Sequence, residues 1–164
     1  MRLESFTERH DVEGFRCGVE ALDAYLRGQA LRDQRADKAQ TMVAVRRRRV
    51  VAYFTLAAAS IEPDAATPRA AKGQGSQPIP AVLLARLAVD RSEQSRGLGR
   101  AMLLEALARS AEAAAVIGAR VVLVHAKDAA VRGFYEHFGF EPAPTGDLQL
   151  MLLMKDVRKT LGLS

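Results

Sequence analysis

Apolar and polar residues recur with two different periods in the first half of the chain. Over Asp23–Gln40 the apolar side chains return every three or four residues, which predicts a single helix. Gly28 is the weak point of that helix, since glycine disfavours a helix interior by about 1 kcal/mol. Two runs rich in β-branched and aromatic residues follow, Thr41–Val45 and Val50–Ser60. Because Arg46–Arg49 separate these runs, the pattern predicts a β-hairpin with a basic tip.

The segment Ser60–Pro80 has neither period. It combines prolines, glycines and small residues, a composition that marks turns and loops. We therefore predict that it forms no packed element and is a flexible loop at about residues 60–80. A chain of 164 residues is an ordinary length for one domain, so we expect a single domain over residues 1–164.

The second half alternates strands and helices. Its fully apolar runs predict strands covered on both faces, and the segments between them predict helices. The predicted strands are Val82–Val89, Val121–Val124 and Leu148–Met154. A long helix ends at Gly118, and a shorter helix is capped by Asp128 and runs through Phe138. This order predicts an α/β fold with a parallel strand pair and a ligand at the carboxyl ends of those strands.

A glycine turn joins the first of these strands to the long helix. It reads Gln94-Ser95-Arg96-Gly97-Leu98-Gly99. Glycine lets backbone N–H groups approach a ligand, and the N–H groups at a helix N-terminus attract phosphate. The spacing matches neither the Walker nor the Rossmann pattern, so on the residues alone a turn without a ligand is an equal alternative.

Composition narrows the class of protein. No apolar run approaches the length of a membrane span and the N-terminus lacks a signal-peptide core, so we expect a cytoplasmic protein with no membrane partner. Cys17 is the only cysteine, and the cysteine and histidines have no metal-ligand spacing, so we expect no metal. The net charge of +5 fits an anionic partner or a basic, solvated surface.

The turn and a second motif together resemble a known superfamily. Gln94–Gly99 follows the strand that ends Leu87–Val89, and Phe134–Phe140 follows the next strand. This pair of motifs resembles the GNAT superfamily of acetyl-CoA-dependent N-acetyltransferases. The resemblance implies a mixed, twisted sheet with splayed central parallel strands flanked by helices. It also implies that the glycine turn binds the coenzyme A pyrophosphate through backbone amides.

The first half narrows the resemblance further. Phe15–Gly18, Leu22–Leu26 and Leu84–Asp90 look like the toxin branch of that superfamily. The resemblance implies an enzyme that acetylates the α-amino group of aminoacyl-tRNA and so blocks translation. It also implies that a ribbon-helix-helix antitoxin restrains the enzyme, and we expect a homodimer.

Site residues follow from the resemblance. Tyr135 is the expected catalytic acid, which returns a proton to the departing thiolate; the alternative is an aromatic side chain that only packs in the core. The expected carbonyl-binding and phosphate-binding residues are Leu87, Ala88, Val89, Gln94, Arg96, Gly97, Leu98, Gly99 and Arg100. His125 has two open readings, a proton relay or a structural histidine.

Basic residues suggest the surface for tRNA. The candidates that could track RNA phosphates are Arg32, Arg35, Lys38, Arg46, Arg47, Arg48, Arg49 and Arg86. For any one of them a solvated surface charge is the alternative. Because the Arg46–Arg49 run lies far in sequence from the glycine turn, we expect it to form no part of the coenzyme site.

Two rival functions remain open from the sequence. One is an N-acetyltransferase for a polyamine, antibiotic or protein amine, which has the same turn and tyrosine but does not need a basic surface. The other is a non-catalytic module that binds acyl-CoA or nucleic acid as a regulator.

Overall fold

The computed structural model describes residues 1–163, apart from the side chain of residue 147. The strands are β1 Arg2–Ser5, β2 Gln40–Arg46, β3 Arg49–Ile61, β4 Ile79–Val89, β5 Val121–His125, β6 Glu141–Ala143 and β7 Gly146–Leu153. The helices are α1 Glu20–Gly28, α2 Ala30–Arg35, α3 Pro68–Ala71, α4 Leu98–Ile117, α5 Ala129–His137 and α6 Met154–Thr160.

The strands form a mixed seven-stranded sheet in the order β1-β2-β3-β4-β5-β7-β6. β4 and β5 are parallel, whereas β1 with β2, β2 with β3, β5 with β7 and β6 with β7 are antiparallel. The sheet and its helices confirm the predicted α/β class. The chain divides into two compact units, and β3, β4 and α4 contribute to both. The first unit is Met1–Ala57 with Ala85–Ala106, and the second is Ala58–Leu84 with the residues from Leu107 onward.

The first unit contains the predicted hairpin. β2 and β3 pair from Gln40–Leu56 to Arg46–Arg49, with a shift of register between Ala44 and Val45. Arg47 and Arg48 form the tip with φ angles of 54° and 69°, the left-handed backbone that tight hairpin turns require. The core of this unit comes from alternate residues of the strands and from the apolar face of α1. One hydrophobic cluster of this unit includes the buried side chains of Phe6, Phe15, Tyr25, Leu26, Val43 and Tyr53.

One helix of the first unit was predicted wrongly. The predicted helix over Asp23–Gln40 is two helices, α1 and α2, with a break at Gln29, where φ is −127° and ψ is −30°. The break follows Gly28, the residue with the weakest preference for a helix in this segment. The second helix ends before Asp37, whose φ of 57° cannot continue a helix. β1 was not predicted at all, since four residues with mixed polarity give no clear period.

The second unit is built on the parallel pair. β4 and β5 pair from Ala81–Val121 to Leu84–Val124. Gly118 follows the end of α4 with a φ of 83°, and Asp128 caps α5 by accepting a hydrogen bond from the Val131 N–H at 2.9 Å. The three predicted strands, the end of α4 before Gly118 and the Asp128 cap are confirmed here. α5 ends at His137 and β7 at Leu153, each one residue before its predicted end. β6 and α6 were not predicted.

The segment between β3 and β4 was also predicted wrongly. It forms a one-turn 3-10 helix over Pro63–Ala65 and the short helix α3, which Thr67 caps. Ala66, Ala70 and Ile79 are buried in the core of the second unit. Small side chains carry too little apolar area to reveal this packing in the sequence, yet they fit closely against β5 and β7. The flexibility of the segment stays a prediction.

Candidate active site

The glycine turn opens α4. β4 ends at Val89, a one-turn 3-10 helix covers Arg91–Glu93, and the Gly97 carbonyl accepts the first helical hydrogen bond, from the Ala101 N–H at 3.1 Å. No described atom lies within 4 Å of a Cβ built on Gly97, whose φ is 83°. The N–H groups in the first turn of α4 have no acceptor within the helix. An open space thus lies beside backbone donors and the positive end of a helix dipole, an arrangement suited to a phosphate.

The second glycine of the turn serves a different purpose. A Cβ on Gly99 would lie 3.8 Å from Cγ2 of Val89, an ordinary contact. Gly99 therefore lies over the end of β4. Only Gly97 of the two has the left-handed backbone that favours glycine. Ser95 also has a left-handed backbone, with a φ of 65°. Arg96 and Arg100 are exposed on either side of Gly97.

Gln94 holds the turn in place. Its side-chain amide donates both hydrogens, to the carbonyls of Cys17 and Val89, each at 2.8 Å. Its backbone N–H donates to the Arg91 carbonyl at 3.4 Å. These contacts occupy the N–H groups of Gln94 in this conformation, and the predicted contact of Gln94 with the coenzyme phosphates stays a prediction. Gln94 ties the turn to the end of β4.

Asp90 anchors the same segment from its other end. One carboxylate oxygen accepts from the Arg16 N–H at 2.8 Å, and the other accepts from the Ser92 hydroxyl at 2.6 Å and the Ser92 N–H at 3.0 Å. Burial opposes the charged form of Asp90, but these hydrogen bonds and the charge of Arg49 outweigh it, so the pKa of Asp90 lies below its ordinary value. The carboxylate thus stays ionised and keeps the turn segment fixed.

Two arginines of the basic run complete this network. Arg49 donates to the Ser92 hydroxyl at 2.8 Å and lies 3.6 Å from the Asp90 carboxylate. Arg46 pairs with Glu93 at 3.0 Å, and the Glu93 side chain is only 12% exposed. Arg46 and Arg49 thus contact the segment that leads into the glycine turn. That the run forms no part of the coenzyme site stays a prediction. The contact could not be predicted from the sequence, because Arg46 and Glu93 are 47 positions apart and meet only in the folded chain.

The other two arginines of the run differ in their surroundings. Arg47 and Arg48, at the tip, are exposed, and their side chains make no ion pair or hydrogen bond among residues 1–163. They line a surface groove of about 1040 Å³ together with Arg2 and Arg9. One run of four identical residues is thus divided into two that hold the turn and two that face solvent.

The remaining basic candidates are also divided. Arg86 is half-buried and its guanidinium carbon lies 3.4 Å from the centre of the Tyr25 ring, a cation–π contact. Arg35 is exposed and pairs with Glu8 at 3.3 Å. Arg32 and Lys38 are exposed without an ion pair among the described residues. Of the predicted tRNA-contacting cations, those exposed without an ion pair among the described residues are thus Arg32, Lys38, Arg47 and Arg48.

Tyr135 lies on α5 in the second unit. It is 6% exposed, and its ring packs edge-on against Phe134 and Phe140, each with centroids 5.3 Å apart. Burial raises the pKa of Tyr135 above its ordinary value. Among residues 1–163 its hydroxyl has no hydrogen-bond partner. The apolar ring contacts fix the orientation of the side chain, and the hydroxyl keeps its proton and is free to donate it.

The predicted carbonyl-binding residues form the last part of β4. The register of β4 with β5 extends as far as Leu84, and β4 itself continues to Val89. Ala88 is buried in the core of the first unit, and Leu87 and Val89 are half-buried. Splaying of the parallel strands over Leu87–Val89 stays a prediction.

Comparison with protein families identifies the class of protein. The family model for the acetyltransferase (GNAT) domain matches residues 37–142 of this chain. The chain belongs to the GNAT acetyltransferase family. It is therefore an N-acetyltransferase with acetyl-CoA as co-substrate, as the two motifs predicted, and the family match goes against a non-catalytic module.

This GNAT chain is similar to toxins that acetylate tRNA or are bound by an antitoxin. It is 44% identical, over 95% of its length and 93% of the relative, to the tRNA-acetylating toxin of Mycobacterium tuberculosis (strain ATCC 25618 / H37Rv). It is 27% identical to the solved structure of AtaT complexed with acetyl-methionyl-tRNAfMet, which covers 98% of both chains with a TM-score of 0.89. A tyrosine-to-phenylalanine mutant of AtaT, bound to the C-terminus of the antitoxin AtaR and to acetyl-CoA, is 26% identical over 98% of this chain and 97% of that one, with a TM-score of 0.83. The predicted resemblance to the toxin branch is confirmed.

Other candidate chemistry in this GNAT chain is limited. Burial and a hydrogen bond with Asp23 raise the pKa of Cys17 to about 11, so its thiol stays protonated and is a poor nucleophile. His125 is exposed at the end of β5. Within residues 1–163 no three His, Cys, Asp or Glu side chains are grouped to hold a metal ion. None of the helices described is long and apolar enough to cross a membrane.

Proposed function

We propose that this enzyme acetylates the α-amino group of aminoacyl-tRNA and acts as the toxin of a toxin–antitoxin pair. The observation that carries the proposal is the 44% identity to a tRNA-acetylating toxin over 95% of the chain. The solved relative in complex with acetyl-methionyl-tRNAfMet supports the same substrate class. Translation takes place in the cytoplasm, so that is where the enzyme would act.

The glycine turn is the proposed pyrophosphate site. The open space at Gly97 and the first-turn N–H groups of Leu98, Gly99 and Arg100 suit a phosphate. The exposed side chains of Arg96 and Arg100 would add charge-assisted hydrogen bonds. Gln94 would hold this turn in place through its bonds to Cys17 and Val89.

Tyr135 is the proposed general acid. The thiolate of coenzyme A leaves more readily when a proton reaches it as the bond breaks. Tyr135 suits this task because burial keeps it protonated at every physiological pH and its hydroxyl has no competing partner among the described residues. The ring contacts with Phe134 and Phe140 would hold the hydroxyl in one orientation.

The amine needs less help than the thiolate. An α-amino group has a pKa of about 7.7–8.0, so a useful fraction is already neutral at physiological pH. Negative charge that develops on the thioester oxygen would be stabilised by the N–H groups of Leu87 and Val89, with Ala88 between them lining the same strand. We propose no general base and no metal for the reaction.

Partners are proposed on the same basis. Arg32, Lys38, Arg47 and Arg48 face solvent and would contact tRNA phosphates. We assign Arg46 and Arg49 primarily to the coenzyme turn, and Arg35 and Arg86 have local partners of their own. A ribbon-helix-helix antitoxin would inhibit the enzyme, as the complex of AtaT with the C-terminus of AtaR suggests. A homodimer stays part of the proposal.

A transfer assay tests the proposal. Labelled acetyl-CoA is offered with charged tRNA, deacylated tRNA, a polyamine and a peptide. We expect acetylation of charged tRNA alone, because only that substrate joins a free α-amino group to an RNA. Acetylation of the polyamine or peptide without charged tRNA would replace the toxin with a small-amine or protein acetyltransferase. Absence of transfer to every amine, with acetyl-CoA still bound, would favour a regulator.

A further inference from the structure

The second unit carries a groove that the sequence did not predict. We call it the α6 groove. Its volume is about 740 Å³, and α3, the residues before β5 and α6 contribute to it. None of its described lining residues is acidic. Five of them are cations: Arg69, Lys72, Arg120, Lys155 and Arg158.

Two of these cations belong to the framework of the groove. Arg69 lies between Glu141 and Asp156, at 2.9 Å from each carboxylate. Arg120 donates to the backbone carbonyls of Ala70 at 2.7 Å, Lys72 at 3.1 Å and Arg69 at 3.2 Å. These contacts fix the end of α3 and so fix the position of the Lys72 backbone.

The other cations have no partner of opposite charge. Among residues 1–163, the side chains of Lys72, Lys155 and Arg158 make no ion pair and no hydrogen bond. The same holds for Lys159, which lines a smaller cavity together with Lys155 and Arg158. Residues 155, 158 and 159 are three and four positions apart on α6 and therefore share one face.

This spacing is unfavourable without a ligand. Like charges four residues apart on a helix destabilise it by about 0.2–0.5 kcal/mol per pair. The favourable dipole at the end of α6 offsets part of this cost for Arg158 and Lys159, but Lys155 lies in the first turn, where a cation is disfavoured. An anion along this face would remove the repulsion.

The arrangement of the cations favours an extended polyanion. Lys155 and Lys159 are separated by about 6 Å along the helix axis, and Lys72 adds a charge from another element. A single phosphate or carboxylate would not use cations spread in this way, whereas successive phosphates of one strand would. Apolar residues, among them Ile117, Leu153 and Met154, line the groove beside the cations. The case for a nucleic acid therefore rests on the spread of the unpaired cations and on the lack of an acidic residue in the described lining.

We infer that the α6 groove binds the phosphate backbone of the tRNA substrate. The inference rests on the proposed function, because it assigns to the groove the RNA of the same substrate whose amino group is acetylated. The groove supplies affinity and orientation without sequence readout, since cations on phosphates carry no base specificity.

Binding of fluorescently labelled tRNA tests the groove. The variant is Lys155→Gln with Lys159→Gln, which keeps side-chain length and helix preference and removes two charges. The matched control is Lys155→Arg with Lys159→Arg, which keeps both charges. The log of the tRNA affinity falls with the log of the salt concentration at a slope of about −0.7 per phosphate contact. Loss of two contacts should therefore make the drop in affinity between 50 and 200 mM salt about 7-fold smaller than in the wild type. The control should retain the wild-type slope, all three proteins should share one acetyl-CoA affinity, and the Gln variant should melt no lower than the wild type because it loses the repulsion within α6.

A second variant guards against an effect confined to α6. Lys72 lies outside that helix, and Lys72→Gln should make the log–log slope of tRNA affinity against salt about 0.7 less negative. Duplex DNA and polyglutamate are measured beside tRNA with every variant. If only the DNA or only the polyglutamate loses affinity, the groove serves another partner and the inference is wrong.

The groove and the proposed function fail in different ways. The Gln variants could bind tRNA with the wild-type affinity and salt slope while the wild type acetylates charged tRNA. The inference about the groove would then be wrong and the proposed function would be supported. If the wild type does not acetylate charged tRNA but the Gln variants lose tRNA affinity, the function falls and the groove stands as an RNA-binding surface.

Discussion

The glycine turn of the first unit and the Tyr135 segment of the second unit are built by opposite means. The turn is open and polar, and its conformation depends on partners far away in sequence, among them Cys17, Arg46 and Arg49. Tyr135 is buried among aromatic residues within five positions of it. The difference suggests a division of labour, in which the turn binds the coenzyme and the tyrosine performs the chemistry. Substitutions should therefore separate affinity from turnover.

Tyr135→Phe should give the largest effect. It keeps the ring and its packing against Phe134 and Phe140 but removes the proton. We expect turnover to fall by about 10²–10⁴-fold while acetyl-CoA affinity stays near wild type. Single-turnover kinetics and calorimetry measure the two quantities. Equal loss of affinity and turnover, or full turnover with chemistry as the slow step, would end the division between the segments.

Gly97→Glu should act in the opposite way, on affinity. A carboxylate about 5–6 Å from a phosphate charge repels it by about 3 kcal/mol at an effective dielectric constant of about 20, so acetyl-CoA should bind about 10²-fold more weakly. Gly97→Gln has the same backbone strain without the charge and should lose less. Gly99→Ala is the tolerated control, because its methyl group would make an ordinary contact with Val89 at 3.8 Å. Unchanged calorimetric affinity in the folded Glu variant would mean that the turn is only structural.

The hairpin arginines give a sharper test of how the turn is held. Replacing Arg46 and Arg49 by alanine leaves the poorly exposed carboxylates of Glu93 and Asp90 without these partners, so we expect acetyl-CoA affinity to fall about tenfold. The comparison variant is Arg47→Asn with Arg48→Gly, which suits the left-handed tip and also removes two charges. It should keep acetyl-CoA affinity and flatten the salt dependence of tRNA acetylation. Identical behaviour of the two double variants would contradict the split within the run.

The same contrast explains what the sequence predicted and what it missed. The α5 cap at Asp128, the aromatic spacing around Tyr135 and the left-handed Gly118 are local features, and each was predicted from its neighbours. The contact of Arg46 with Glu93 joins residues 47 positions apart. No pattern of period two or 3.6 encodes such a contact, because it exists only after the hairpin has formed. The bond from Gln94 to the Cys17 carbonyl was missed for a similar reason, because it joins residues 77 positions apart.

The weak elements were missed on energetic grounds. α3 and its neighbours bury only small side chains such as Ala66 and Ala70, so their apolar signal is low. The cations of the α6 groove come from three separate stretches of the chain and form no run, unlike Arg46–Arg49. Because folding alone brings these cations together, the composition of no single stretch of the sequence predicts the groove.

The pH dependence should show the smallest effect and the finest distinction. Burial raises the pKa of Tyr135, so the acid keeps its proton to higher pH than an exposed tyrosine, whose pKa is about 10. The α-amino group must be neutral, so kcat/KM should rise up to about pH 8 and then stay level to at least pH 10. An amide-linked aminoacyl-tRNA analogue avoids loss of the ester in alkali and permits the measurement. A decline that begins below pH 9 in the folded enzyme would require an acid with a lower pKa than the buried tyrosine, and Tyr135 would then be a packing residue beside the true donor.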